Sequence, residues 1–268
     1  MTPAPKTASF PGASARAALT YTLSLLGFVA FWWALSALRA DPRVLPAPPE
    51  VLAVLADEAR SGRLCHHISA TLLRVVAAFA LAMVAGTVLG LWLGRSPRAD
   101  RWLDPWVTIF LNLPALVVIV LCYLWIGLNE TAAITAVAIN KTALVLVTMR
   151  EGARALNPGL TDMAQVFAMP PTARLRHVIL PQLAPFLAAS ARTGLAIIWK
   201  LVLVVEFLGR SSGVGFQIHM RFQLFEIAGV LAYALAFVAV MLAIELCLLR
   251  PMTRAAAAWR ERQDGGPA

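Results

Sequence analysis

Six polar or ionisable residues stand inside otherwise apolar runs: Asn112, Asn140, Lys141, Arg192, Lys200 and Glu206. Such groups are costly in hydrocarbon, so they mark either a path for a polar solute or internal pairs. Lys141, beside Asn140, falls near the middle of an apolar stretch at 131–149. Arg192 and Lys200 sit about 80° apart on a helix, and Glu206 is turned about 240° from Lys200, too far round to neutralise it within the same helix. Two readings stay open. These six residues form an inner lining that handles a small anion, or they make cross-helix salt bridges that lock a bundle. Glu245 lies near the end of the last apolar run, where it reads as an interface group whose head snorkels to water.

Other familiar chemistry is missing. A phosphate-cradling loop needs G-K-[ST], but the lysines Lys6, Lys141 and Lys200 follow Pro5, Asn140 and Trp199. His66, His67, His177 and His219 form no H-E-x-x-H, and there is no G-x-S-x-G nucleophile turn. Cys65-His66-His67 is a short triplet without a fourth metal ligand. Cys122 and Cys247 fall in apolar runs, where a free thiol behaves as a small hydrophobe. No catalytic residue and no metal site is expected, and any ATP chemistry must belong to another chain.

The elements that position these residues follow from composition. Of 268 residues 60% are hydrophobic and 14% charged, with mean hydropathy +0.74. Too few polar side chains remain to cover a water-facing surface, which argues for an all-α polytopic membrane protein. Six spans of the necessary length are expected, at 17–38, 75–93, 105–128, 131–149, 183–207 and 227–249, about half the chain. The first is longer than a signal-peptide core and reads as a retained anchor. Lys and Arg in the connections orient the chain. Thirteen fall on the side of the termini and six on the other, so 1–16 and 251–268 are expected as cytoplasmic tails around a 17–250 transmembrane domain.

Ala78, Ala82, Gly86, Gly90 and Gly94 repeat every four residues, which lets helices approach closely, within one chain or at a seam between two. Asn112-Leu113-Pro114 should bend the third span, since Pro removes a backbone hydrogen bond. On the far side, Val51 to Ala59 looks like an amphipathic helix lying at the interface.

The 150–180 connection is far longer than two neighbouring spans need, and loops of that length are usually functional when not disordered. Leu156, Leu160, Met163, Val166 and Phe167 recur at helical spacing. Pro170-Pro171 stops that helix and starts another that runs through Arg174, Leu175 and Val178 into Leu180-Pro181. Two short helices joined to a span can convert a push from a soluble partner into motion of the bundle.

Asp162-Met163-Ala164, Ala168, Ile179 and Leu180-Pro181 resemble the signature loop of ABC importer permeases: E-A-A, three residues, G, then a hydrophobic residue and L-P. Asp162, Met163 and Ala168 depart from that pattern. Loss of its glycine removes backbone freedom at the corner, and Pro170-Pro171 is expected to supply the turn instead. Leu45-Pro46-Ala47-Pro48, Gly94-Arg95-Ser96-Pro97, Trp125-Ile126-Gly127 with Glu130, and Ser211-Ser212-Gly213-Val214-Gly215 are similar to the nitrate, taurine and aliphatic sulfonate branch.

The resemblance implies a type I ABC importer permease fold in a bacterial inner membrane. It implies a pathway subunit that hydrolyses nothing. ATPase subunits, carrying ATP and Mg, would be held through Asp162, Met163, Ala164, Phe167, Ala168, Leu180 and Pro181. A soluble substrate-binding protein and a second permease copy, in a homodimer, would complete the machine. The expected solute is a small oxyanion such as nitrate, taurine or another sulfonate. The alternative is an ion-gradient-driven secondary transporter that uses Lys141 and Glu206 without an ATPase.

Overall fold

A computed structural model describes residues 12–39, 41, 43–244 and 246–247. Every regular element among them is helical. The chain runs α1 (Gly12–Arg39), α2 (Pro48–Arg60), α3 (Arg63–Arg95), α4 (Pro97–Asn112), α5 (Ala115–Ile126) and α6 (Glu130–Arg154). It continues through α7 (Pro158–Val166), α8 (Pro171–Arg174), one π-helical turn (Leu175–Ile179), α9 (Leu180–Gly209), α10 (Val214–Gln223) and α11 (Ile227–Ile244). The tail at 251–268 and Glu245 lie outside the described residues, and the expected boundary at 16 falls inside α1.

Four helices are long and apolar enough to cross a membrane: part of α1 (Thr22–Arg39), α3, α6 and α11. The pair α4–α5 makes a fifth if it counts as one span. The six expected spans are therefore matched at four or five by length and composition. α9 is 30 residues long but carries Arg192, Lys200 and Glu206 along its course.

The third expected span needs correction. Its start at Pro105 is interior to α4, while the bend expected at Leu113-Pro114 is there, as a turn of 98° between α4 and α5. Leu113 adopts φ −65, ψ 125, the extended conformation that a following proline favours. Pro114 offers no N–H to carry the hydrogen-bond ladder across.

The core is a three-helix seam. Positions 86, 90 and 94 of α3 meet Val145, Met149 and Ala153 of α6 in parallel register. A Cβ on Gly90 would stand 2.6 Å from the Leu146 carbonyl oxygen, and one on Gly94 would stand 2.8 Å from that of Arg150. Ala78 and Ala82 on the same stripe are fully buried. The small-residue stripe thus brings two helices of one chain into backbone contact. α9 packs antiparallel on α6, with Gly194 against Lys141 and Phe186 against Gly152. At one end Arg150 donates to Asp100 (3.0 Å) and Asp104 (2.7 Å), and Arg154 also reaches Asp100, pinning α4 to α6.

Candidate translocation site and coupling loop

The 150–180 segment is ordered. Asn157 caps α7, its side chain accepting from Gly159 N–H at 2.8 Å. Gln182 of α9 accepts from the Asn157 backbone N–H at 2.9 Å, tying the loop to the span that follows. α7 ends in a Schellman turn: Met169 N–H donates to the Ala164 carbonyl (3.0 Å) and Ala168 N–H to that of Gln165 (2.9 Å). Ala168 takes the left-handed conformation that closes this motif, φ +47. The corner expected from Pro170-Pro171 is therefore made at Ala168, where the resemblance puts glycine, and the prolines only start α8. From α8 the backbone continues through the π turn into α9 without a break.

Within this loop Ala164 is buried, while Asp162 and Met163 face outward. Val166 is 83% and Phe167 73% exposed, forming an apolar ridge with Leu160. Leu180 is exposed and Pro181 half-buried at the root of α9.

The six polar residues of the apolar runs separate into three environments. Arg192 and Lys200 lie on an exposed face of α9, with no ion pair among the described residues. Asn112 is exposed at the α4–α5 break, donating to the Thr108 carbonyl at 2.8 Å, and Asn140 is half-buried. Lys141 is 2% exposed, and its Nζ has no hydrogen-bond partner among the described residues.

Glu206 is fully buried at the end of the bundle opposite the 150–180 loop. It accepts from Arg74 at 2.6 Å, from the Thr71 hydroxyl at 3.0 Å and from Gly215 N–H at 2.9 Å. The cross-helix reading describes this residue.

Arg74 is the hub that the sequence reading passed over. Its guanidinium also makes a two-pronged pair with Glu130, both contacts 2.7 Å, and reaches the Ser212 carbonyl and hydroxyl at 2.7 Å. Arg210 binds Glu130 from the other side. Gly213 must be glycine, because its φ is +111 and a side chain there would run into the Glu206 carboxylate. Its N–H donates to Nδ1 of His67 at 3.1 Å. Glu130, Glu206 and the 211–215 turn, 56, 132 and 138 residues from it in sequence, thereby close on one arginine. A signal for Arg74 did exist: it abuts the second apolar run and was left out of both loop counts.

A second cluster holds α2. Glu58, 4% exposed, accepts from Arg63 (3.0 and 2.9 Å), Tyr233 (2.7 Å) and Arg221. The Arg63 hydrogen bonds, more than the neighbouring charge of Arg221, hold its carboxyl down at about 2. The amphipathic segment is thus clamped onto α10 and α11 through a buried carboxylate.

Several membrane-length helices, an exposed cationic face on α9 and an ordered loop with an apolar ridge, in a chain whose described elements are all helical, are the features of a transport permease. Residues 84–253 match the family of binding-protein-dependent transport system inner membrane components, and the chain belongs to that family. It is 28% identical over 238 residues to SsuC of Bacillus subtilis (strain 168), named for aliphatic sulfonates transport (88% of this chain, 86% of that one). It is 27% identical over 244 residues to the taurine transport system permease protein TauC of Escherichia coli K12 (89% and 88%).

Among solved structures it shares its fold with the MetNI methionine ABC transporter in an inward-facing conformation. There the TM-score is 0.58 at 17% identity, covering 73% of this chain and 98% of that one. An amino acid ABC transporter matches with a TM-score of 0.53 at 20% identity, covering 78% and 97%.

Proposed function

We propose that this chain is half of a two-fold permease in an ATP-driven importer for a small oxyanion, a sulfonate such as taurine or a kindred anion such as nitrate or bicarbonate. The observation that carries the reading is the unbroken run from the exposed Val166–Phe167 ridge, through the α7–α8 corner and the π turn, into the helix bearing Arg192 and Lys200. A push on the ridge passes through the hydrogen-bonded α7–α8 corner and the continuous α8, π turn and α9 to the charged helix.

In this account two ATPase subunits grip the two 150–180 loops, with ATP and Mg held on those subunits. Closure of the ATPases draws the loops together and turns the pathway toward a docked substrate-binding protein. Hydrolysis returns it. The chain crosses the membrane six times, counting α4–α5 as one span and α9 as another, with both termini cytoplasmic. A second copy supplies the other half of the path. Two unpaired cations exposed on α9 at membrane depth are stable only against a water-filled cavity, and a cavity so lined favours anions.

The test is co-purification with candidate ATPase subunits of this importer class, comparing the native chain with a Val166→Asp/Phe167→Asp variant. Both positions are largely exposed, so the variant should fold and elute normally. Loss of ATPase association with normal elution is expected. Undiminished association and transport would remove the loop from its role.

A further inference from the structure

Lys141 does not belong to that exposed face. Its stem crosses from α6 onto α9 at Gly194, where a Cβ would stand 3.0 Å from Cε and 3.9 Å from Nζ. Phe79 of α3 closes the same spot, 3.7 Å from that Cβ position. One turn before Gly194, on the same face of α9, Ser190 is 5% exposed, and its hydroxyl also has no partner among the described residues. Two orphaned polar groups therefore lie in one helix seam. No carboxylate among the described residues pairs with the ammonium.

A buried cation without a partner is costly unless something arrives to pair with it. The groups offered are an ammonium with three donors and a hydroxyl, a set suited to a compact anion with several acceptor oxygens. The Lys stem is flexible, with four rotatable carbons. Gly194 leaves the notch over which it lies, between Thr193 and Leu195 and two residues from Arg192 of the exposed face.

We propose that Lys141 and Ser190 form a second, occluded oxyanion subsite between α6 and α9, opened as the two helices part during transport and reached by the lysine over the Gly194 notch. The subsite rests on the importer reading, since only a cycling permease opens the seam. It gives the pathway a waypoint behind Arg192 and Lys200, where the solute is held while the path to either side is closed.

The chain's only lysines are Lys6, Lys141 and Lys200, so amine footprinting by reductive methylation and mass spectrometry reads the site directly. The sample is the assembled complex with its ATPase and binding protein in lipid nanodiscs. The probes are ethanesulfonate, nitrate and bicarbonate. Lys200 should be modified in every state. Lys141 should be protected at rest, and its modification should rise about tenfold or more during ATP turnover, because a closed seam opens in about 10% of molecules or fewer. At least one of the three anions should suppress that rise. Lys141→Met and Gly194→Ala should lower uptake of the suppressing anion, with Lys141→Arg retaining more of it than Lys141→Met.

Lys141 unmodified throughout turnover, or modified but indifferent to all three anions, overturns the subsite and leaves the importer reading intact. Rescue of Lys141→Met by Glu245→Gln, at a position outside the described residues, would assign the cation an ion-pair role and also overturn it. Failure of the native chain to bind any ATPase would bring down the importer reading itself, and the subsite with it.

Discussion

Replacing Arg74 by methionine should destabilise the bundle by more than any surface change, and a second substitution should partly undo the damage. The guanidinium donates to Glu206, twice to Glu130 and twice to Ser212. Without it Glu130 keeps Arg210 and is half-exposed. Glu206, fully buried, keeps only the Thr71 hydroxyl and the Gly215 N–H. Leaving a buried charge uncompensated costs about 3–5 kcal/mol. Neutralising it as well, in Arg74→Met/Glu206→Gln, leaves only an imperfectly bonded amide, about 1–3 kcal/mol. The double variant should therefore be more stable than Arg74→Met by about 2 kcal/mol, the difference of those two costs. Equilibrium unfolding of the full chain in mixed micelles, run as a double-mutant cycle, measures both values. A loss under about 1 kcal/mol for Arg74→Met, or a double variant less stable than the single, would refute the reasoning that Arg74 exists to neutralise Glu206.

Three further outcomes follow from the packing and the caps. Ala168→Gly should stabilise the α7 corner by about 1 kcal/mol, since alanine at φ +47 is strained where glycine is not; slower proteolysis of the 150–180 loop reports it, and faster cleavage would contradict it. Gly90→Leu forces a side chain against the Leu146 backbone and should cost about 1–3 kcal/mol or more. Gly27→Leu, with nothing within 4 Å of its Cβ position, should leave the melting temperature unchanged; equal effects would dismiss the seam. Glu58 binds its proton more weakly folded than unfolded, so its contribution is full above the ordinary 4.5 and lost as pH falls toward about 2. Amide protection across α2, taken against the intrinsic exchange rate at each pH, should fall through that window in the native chain and show no such step in Glu58→Gln.

The helix-corner-helix of the loop, the close-packed small-residue stripe and the cross-helix option for Glu206 were all legible, because periodicity, residue size and charge in hydrocarbon are local properties of sequence. What was hidden depends on where helices end in space. Arg74 abuts an apolar run in the sequence, yet it lies beside Glu130 and Glu206, 56 and 132 residues away. The bend at Leu113-Pro114 was legible but its 98° angle was not, because proline fixes the break and not the angle. The turn at Ala168 was assigned to the neighbouring prolines because alanine rarely adopts positive φ; tertiary packing of Ala164 and the two closing hydrogen bonds outweigh that preference. Glu58 sat in an outer loop with four acidic residues and nothing to single it out until Arg221 and Tyr233 folded over it.

Solute uptake into liposomes holding the permease, the ATPase that co-purifies with it and a loaded binding protein is the most direct test of the account. Uptake of a small oxyanion that requires ATP and all three components, and that falls when Val166 and Phe167 are made acidic, is the predicted result. Uptake by the permease alone, driven by an ion gradient and indifferent to ATP, would contradict it and establish a secondary transporter instead.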